Sequence, residues 1–250
     1  MYPGSPALYE ELQKSDWYYE ASRPEFPFAK ALTKPGIRVL EIGSGEGNFL
    51  SLLPPEVQAV GLEFNDASID KCRARGLKVE KLPIAEYAAE HACEFDLVCS
   101  FQVLEHVSEP LNFLEPALAC LKPGGRLVIS VPNDEAPMAE MTNAWLNLPP
   151  HHLSRWRLAT FRVFAAQHGL TIEDSMTDAV APEHVRWIRE QGASNWLAAK
   201  LGLQRQPIDN RLAWKFMLAG GKALAALTGS RFEGRLGHSI TVVMKTAAAG

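Results

Sequence analysis

Three glycines at alternate positions, directly after a short apolar run, offer the clearest chemistry in this sequence. Residues 37–42 read as a buried parallel strand, and Gly43, Gly45 and Gly47 follow within the segment EIGSGEG that starts at Glu41. Glycine permits a sharp turn and lets a ligand approach the backbone where a Cβ would collide. The apolar residues from Phe49 predict a following helix, whose first amides and positive dipole end suit a polar ligand. We therefore expect a ligand site, although the same glycines would also make a tight turn without one.

An acidic residue follows about twenty residues after this loop, as in many nucleotide-binding folds. Residues 60–63 predict a second strand that ends at Glu63, placed to accept hydrogen bonds from a ribose diol. A dinucleotide fingerprint would read G-x-G-x-x-G, but Asn48 occupies the sixth position counted from Gly43. The spacing is E-x-G-x-G-x-G instead, which argues against a NAD site.

Two later segments place further polar groups near strand ends. Residues 94–100, with the run FDLV, predict a fourth strand, and Leu104-Glu105-His106 follows it. Residues 121–125, LKPGG, predict a turn that leads into a fifth buried strand. Glu105 and His106 would line a site at the strand ends, or they would simply cap a helix.

The ordered set of these landmarks over residues 37–133 resembles class I S-adenosylmethionine-dependent methyltransferases. It is most similar to the subset that methylates small molecules, quinone precursors and sugars. The resemblance implies an α/β fold: a Rossmann-like, doubly wound, seven-stranded sheet, mostly parallel with an antiparallel last strand, plus a helical insertion. It also implies an enzyme with S-adenosylmethionine as cofactor that methylates a hydroxyl oxygen of a small metabolite or glycan.

The same resemblance assigns residues to the cofactor. The glycines would hold its methionine portion, Glu41 would orient the loop or the amino group, and Glu63 would hold the ribose. In the family, a loop after the third strand usually presents an aspartate to the adenine, but Ile84 stands there, which leaves the adenine contact open. The implied cofactor-binding residues are Glu41, Gly43, Ser44, Gly45, Gly47, Glu63, Phe64, Ile84, Phe101 and Gln102.

Histidines supply the candidate catalytic groups. His152 lies in a proline–histidine–leucine segment that resembles a loop of the quinone and sugar subset, and His106 would line the reacting end. Histidine ordinarily titrates near neutrality, so His152 would serve as a base toward a hydroxyl. Alternatively, His151 or His152 would hold the loop by bonding to the backbone. The pair has no third ligand at metal-binding spacing, so we expect no metal.

The chain divides into three predicted parts. Residues 1–36 form a helical cap with two short helices over 6–33, and residues 37–179 and 236–246 form the methyltransferase core. Residues 180–235 form a helical insertion, with helices over 183–201 and 212–227, that would act as a lid, an oligomer contact or a solvated face. Residues 212–228 are too short and interrupted to span a membrane, and an interfacial helix is the less favoured reading.

Composition narrows the class of protein. The 250 residues carry a formal net charge of −4, which argues against a nucleic-acid partner. The N-terminal residues lack a secretory signal pattern, and the four cysteines lack a CxxC spacing, so we expect reduced thiols in the cytoplasm. Two rival classes stay open: a NAD-dependent oxidoreductase and a methyltransferase-like binding module without turnover.

Overall fold

The computed structural model of the chain describes residues 23–180, 182–228 and 237–248. The strands are β1 (Arg38–Ile42), β2 (Gln58–Leu62), β3 (Val79–Glu80), β4 (Phe95–Phe101), β5 (Leu121–Pro132), β6 (Thr171–Thr177) and β7 (Ser239–Lys245). The helices are α1 (Glu25–Lys30), α2 (Asp66–Ala74), α3 (Ile84–Glu90), α4 (Pro110–Ala119), α5 (Leu158–Gln167), α6 (Pro182–Lys200) and α7 (Leu212–Thr228).

The strands form one seven-stranded sheet in the order β3-β2-β1-β4-β5-β7-β6. The last strands are antiparallel and the others parallel, so the predicted fold class is confirmed. Val39 pairs with Ala59 of β2 on one side and with Leu97 of β4 on the other. The strand order therefore reverses at β1, and the crevice beyond the carboxyl ends of β1 and β4 is where such sheets bind ligands.

Apolar side chains on the two faces of the sheet form separate cores. On β4, Leu97, Cys99 and Phe101 share one face because strand side chains alternate, and they pack in a core with Phe26 of α1. Val98 belongs to the larger core on the other face, which also takes in Phe161 of α5. The central strands are thus buried on both sides, as a parallel sheet requires.

Three local predictions were wrong. No α-helix follows the glycine loop, because the chain makes only a 3-10 turn at Leu50–Leu52 before Pro54 and Pro55 enforce extended backbone. The segment predicted as a loop around Ile84 starts α3 instead, since its short helix-forming run buries Tyr87 and Ala88 against the sheet. Residues 121–125 extend β5 rather than forming a turn, and the pairing of β4 with β5 shifts register between Phe95 and Leu97.

The chain divides into two compact units. The first contains residues 23–132, Leu153–Met176 and 240–248, and it holds nearly all of the sheet. The second contains Asn133–His152 and the described residues of Thr177–Ser239. The predicted domain boundaries stay a prediction.

Helices α6 and α7 form a hairpin within the second unit. The Arg189 guanidinium donates to the carbonyl of Ala225 at 2.7 Å. Gly221 lies so close to Ser194 that an added Cβ would sit 2.1 Å from the serine Oγ. Arg189 precedes Ser194 on α6, whereas its partner Ala225 follows Gly221 on α7, so the two helices run antiparallel. Among the described residues, no helix is both long enough and apolar enough to cross a bilayer.

Candidate active site

The glycine loop after β1 is held by main-chain hydrogen bonds to the end of β2. The amides of Gly43 and Ser44 both donate to the carbonyl of Leu62, at 2.8 and 3.0 Å. Gly43, Gly45 and Gly47 have φ values of +77°, +51° and +75°, a region that side chains disfavour. The loop conformation therefore depends on glycine at these alternate positions.

Protein atoms already occupy the space beside two of these glycines. A Cβ on Gly43 would lie 2.4 Å from Cγ2 of Val103, and one on Gly47 would lie 2.4 Å from Cδ1 of Leu77. At these two positions the missing side chain makes room for packing. The contact with Val103 also brings the turn after β4 against the loop after β1.

Glu63 ties the loop to the end of β2 through its carboxylate. Its Oε2 accepts from the Gly45 amide at 2.8 Å, and its Oε1 accepts from the amides of Phe64 and Asn65 at 2.7 and 2.8 Å. A carboxylate has about four acceptor positions, so one position on Oε2 remains for a ligand. Phe64, the neighbouring predicted residue, exposes its ring.

Two buried polar atoms next to the loop have no hydrogen-bond partner among the described residues: Oε2 of Glu41 and Oγ of Ser44. Burial, and then the nearby Glu63, raise the pKa of Glu41 well above its usual value. Buried polar atoms without a hydrogen-bond partner are rare in folded proteins, and a bound ligand or water is a common explanation for them. A ligand that donates hydrogen bonds at the loop would provide one.

The turn after β4 carries an unusual backbone at Gln102. Its φ is +56°, uncommon for a residue with a side chain, and its amide donates to the Ser130 carbonyl at 2.8 Å. Backbone of this kind clusters at functional sites. Gln102 directly follows β4, beside the point where the strand order reverses, so its unusual backbone lies where a ligand is expected.

Phe101 and Ile84 bury their side chains in the cores of the sheet. The Phe101 ring packs against Phe26 and Phe49, with ring centres 5.2 and 5.0 Å away, so its side chain faces the core rather than the crevice. Ile84 is buried in the larger core. Only the backbones of these two residues remain available for the predicted cofactor contacts, which stay predictions.

Residues 104–106 form a 3-10 turn that is held by hydrogen bonds from residues 153 and 154. The amides of Leu153 and Ser154 donate to the Glu105 carbonyl at 2.7 and 3.2 Å. The Glu105 side chain is buried, its Oε2 has no partner among the described residues, and burial raises its pKa to about 8. The nearest nitrogen of His106 lies 3.8 Å from Oε1 of Glu105, beyond hydrogen-bond length. Glu105 is therefore protonated at neutral pH.

His152 lies in the second compact unit. Its amide and that of His151 donate to the Leu148 carbonyl at 3.2 and 3.0 Å, and the two imidazole rings stack with centres 4.8 Å apart. The backbone bonds hold the loop, and the catalytic roles of His152 and His106 stay predictions.

Sequence reasoning missed three residues that shape this site. Gly61 allows β2 to approach the loop, because a Cβ there would lie 2.6 Å from Oγ of Ser44. Val103 fills the space beside Gly43, and Asn65 caps α2 by accepting from the Ser68 amide at 3.0 Å. Asn65, two residues after the acid and one before a helical run, carried an N-cap signal. No local signal marked the other two, whose roles depend on contacts between distant segments.

Comparison with known proteins agrees with this architecture. The methyltransferase domain family model matches residues 16–175. A ubiquinone biosynthesis O-methyltransferase of Bordetella avium is 35% identical over 106 residues, covering 39% of this chain and 44% of that protein. A probable S-adenosylmethionine-dependent methyltransferase of Mycolicibacterium smegmatis is 28% identical over 149 residues, covering 56% of this chain and 54% of that protein.

Among solved structures, a SAM-dependent methyltransferase from Archaeoglobus fulgidus has the same fold. The two chains superpose with a TM-score of 0.59 at 18% identity, over 97% of this chain and all of the other. The aligned stretch spans about half the length of the two curated relatives. Because the family model matches more than half of the sequence, the chain belongs to the class I S-adenosylmethionine-dependent methyltransferase family.

Proposed function

We propose that this protein transfers the methyl group of S-adenosylmethionine to a hydroxyl oxygen of a small metabolite or glycan. The observation that carries the proposal is the glycine loop after β1, bonded through the Gly45 amide to the acid that ends β2. In the family pattern, the E-x-G-x-G-x-G loop and the acid after the second strand, here Glu63, are the parts that bind the cofactor.

The residues present fit this cofactor. Glu41 and Ser44 each offer a buried, unpartnered oxygen at the loop, suited to the ammonium group of the methionine portion. Glu63 keeps one acceptor position on Oε2, suited to one ribose hydroxyl. A cation next to Glu41 would favour its ionised form and so oppose the rise in pKa that burial causes.

The cofactor supplies an activated methyl group on a sulfonium sulfur, so the protein has to align groups rather than form a covalent intermediate. Transfer would join the methyl carbon to the acceptor oxygen and break its bond to sulfur, so the cofactor would leave as a thioether. The hydroxyl proton passes to a base, for which His152 is the candidate, and Gln102 and His106 would line the reacting end.

Similarity to O-methyltransferases supports an oxygen acceptor. Relatives at 31–35% identity are named ubiquinone biosynthesis O-methyltransferases. No N-P-P-Y-type segment follows β4, where the sequence reads SFQV, and this lowers the case for an amino acceptor on a nucleobase. We accordingly favour a hydroxyl acceptor over an amine, in a cytoplasmic enzyme.

The test is transfer of labelled methyl from S-adenosylmethionine to matched acceptors that differ only in the accepting atom: catechols and hydroxylated sugars against the corresponding amines. The proposal predicts labelled methyl ethers. Label found only in N-methyl products would overturn the oxygen acceptor. Tight cofactor binding without transfer to any acceptor would favour the binding module.

A further inference from the structure

Helix α7 exposes an apolar face. Leu212, Phe216, Ala219, Ala223 and Leu227 recur every three or four residues, which places them on one side of the helix, and all five are exposed. The exposed fractions of Leu212, Phe216 and Leu227 are 69%, 64% and 85%.

The opposite side of α7 is already used. Trp214, Gly221 and Ala225 are buried there, within the hairpin formed with α6. A helix on the surface of a globular protein normally carries polar residues on its outer side. Helix α7 is apolar on both sides, so its outer side needs an apolar partner.

The end of α6 and the connecting loop also expose large apolar side chains. Large exposed apolar side chains in residues 182–228, named here the hairpin apolar set, are Trp196, Leu201, Ile208, Leu212, Phe216 and Leu227. Among the described residues, the four most exposed large apolar side chains all belong to this set. Isolated exposed apolar residues are ordinary, but such a concentration marks an interaction surface.

The hairpin is basic although the whole chain is acidic. Residues 182–228 contain seven Lys or Arg and three Asp or Glu, whereas the formal charge of the chain is −4. Two of the three acids are paired, Glu190 with Arg186 at 2.8 Å and Asp209 with Arg211 at 2.6 Å. The surface charge of the hairpin is thus mainly that of its cations.

Three lysines lie beside the apolar set without an ion pair among the described residues. Lys215 and Lys222 lie on one flank of α7, about a quarter turn from the line of Leu212 and Phe216. The Lys200 ammonium lies 5.8 Å from the ring centre of Trp196. Tryptophan, phenylalanine and leucine flanked by lysines are the composition of a helix that lies in a membrane interface.

We propose that the α6–α7 hairpin docks on the surface of an anionic lipid bilayer. Phe216, Leu212 and Trp196 enter the boundary between headgroups and acyl chains, and the lysines contact anionic headgroups. A second copy of the chain is the other candidate for an apolar face. A two-fold contact through this face would bring its lysines against their own copies, whereas anionic lipids neutralise them.

The test is cosedimentation with phosphatidylcholine vesicles, with and without phosphatidylglycerol. The variants are Phe216→Ser and the double variant Lys215→Glu with Lys222→Glu, and Val163→Ser on α5 is the matched control because Val163 is also exposed. We expect binding to the anionic vesicles that weakens with salt, falls at least about tenfold in both hairpin variants and is unchanged in the control.

Binding that Phe216→Ser leaves unchanged, or that Val163→Ser weakens equally, would overturn the proposal. So would a dimer, detected by analytical ultracentrifugation without lipid, that Phe216→Ser dissociates while wild-type protein ignores vesicles. The assay needs neither methyl donor nor acceptor, so its outcome is independent of the proposed methyl transfer.

Discussion

The Glu63 carboxylate accepts a hydrogen bond from the Gly45 amide at 2.8 Å, and this contact joins the acid that ends β2 to the loop that follows β1. The two residues are eighteen positions apart in sequence. Because the same carboxylate also accepts from Phe64 and Asn65, the acid is fixed in place before any ligand arrives. The loop and the proposed ribose acceptor are therefore one preorganised unit.

Replacing Glu63 should weaken cofactor binding. In Glu63→Gln the side chain loses its charge and an acceptor oxygen, so the contacts on Oε2, to Gly45 and the proposed ribose, cannot be kept together with those that Oε1 accepts from Phe64 and Asn65. Hydrogen bonds to charged groups contribute about 1.5–3 kcal/mol, so we expect the dissociation constant for S-adenosylhomocysteine to rise roughly tenfold to a hundredfold in calorimetry. Glu56→Gln, at an exposed acid, is the control. Equal affinities for the two variants would remove Glu63 from the site.

Gly43→Ala should destabilise the protein more than Gly169→Ala. Both glycines have positive φ, but an added Cβ meets Val103 at Gly43 and nothing within 4 Å at Gly169. Backbone strain alone costs about 1–2 kcal/mol, and overpacking adds about 1–3 kcal/mol at Gly43. Urea unfolding gives both values.

The role of Val103 in this effect can be isolated by a double-mutant cycle. Combining Gly43→Ala with Val103→Ala should recover part of the overpacking cost, since the clashing methyl group is removed. Additive effects of the two substitutions would contradict a direct contact.

The buried Glu105 should make stability fall as the pH rises from about 4.5 to about 8. Burial raises its pKa from 4.5 to about 8, so between these values the folded protein holds a proton that the unfolded chain releases. The contribution is fully present below about pH 4.5 and is lost as the pH rises to about 8, at roughly 1.4 kcal/mol per pH unit. Glu105→Gln keeps the shape without titrating. Urea unfolding at pH 6 and pH 9 should show a smaller loss in this variant than in wild type, and identical losses would contradict a protonated Glu105.

If His152 is the base, its protonation should cause the loss of methyl-transfer activity at acidic pH. An imidazole accepts the substrate proton only when neutral, so activity should fall as pH decreases, and His152→Asn should lower kcat and remove that dependence. His151→Asn is the comparison, because its ring stacks on that of His152. An unchanged pH profile in His152→Asn would assign the base elsewhere.

The sequence was sufficient for the sheet and for the loop at Gly43, because strand periodicity, glycine spacing and the ordered landmarks are local signals. It failed where distant segments meet. Phe101 is the last residue of β4, next to the site, yet strand alternation places its ring in the core beside Phe26. The helix predicted after the loop was prevented by Pro54 and Pro55, a signal present in the sequence but outweighed by the apolar run.

The contacts around Ser44 could not be predicted from sequence for the same reason. Its close approach to Gly61 joins two strands that are paired only in the folded sheet. Of the two short helices predicted over residues 6–33, the part before residue 23 lies outside the described residues.

The central claim is tested most directly by thermal unfolding of the wild-type protein with S-adenosylhomocysteine and, separately, with NAD. At a concentration of about one hundred times the dissociation constant, a bound ligand stabilises the folded state by about 2.7 kcal/mol, which gives a clear rise in Tm. We predict a rise with S-adenosylhomocysteine and none with NAD. A rise with NAD alone would contradict the assignment of the glycine loop, and no rise with either would contradict a working cofactor site.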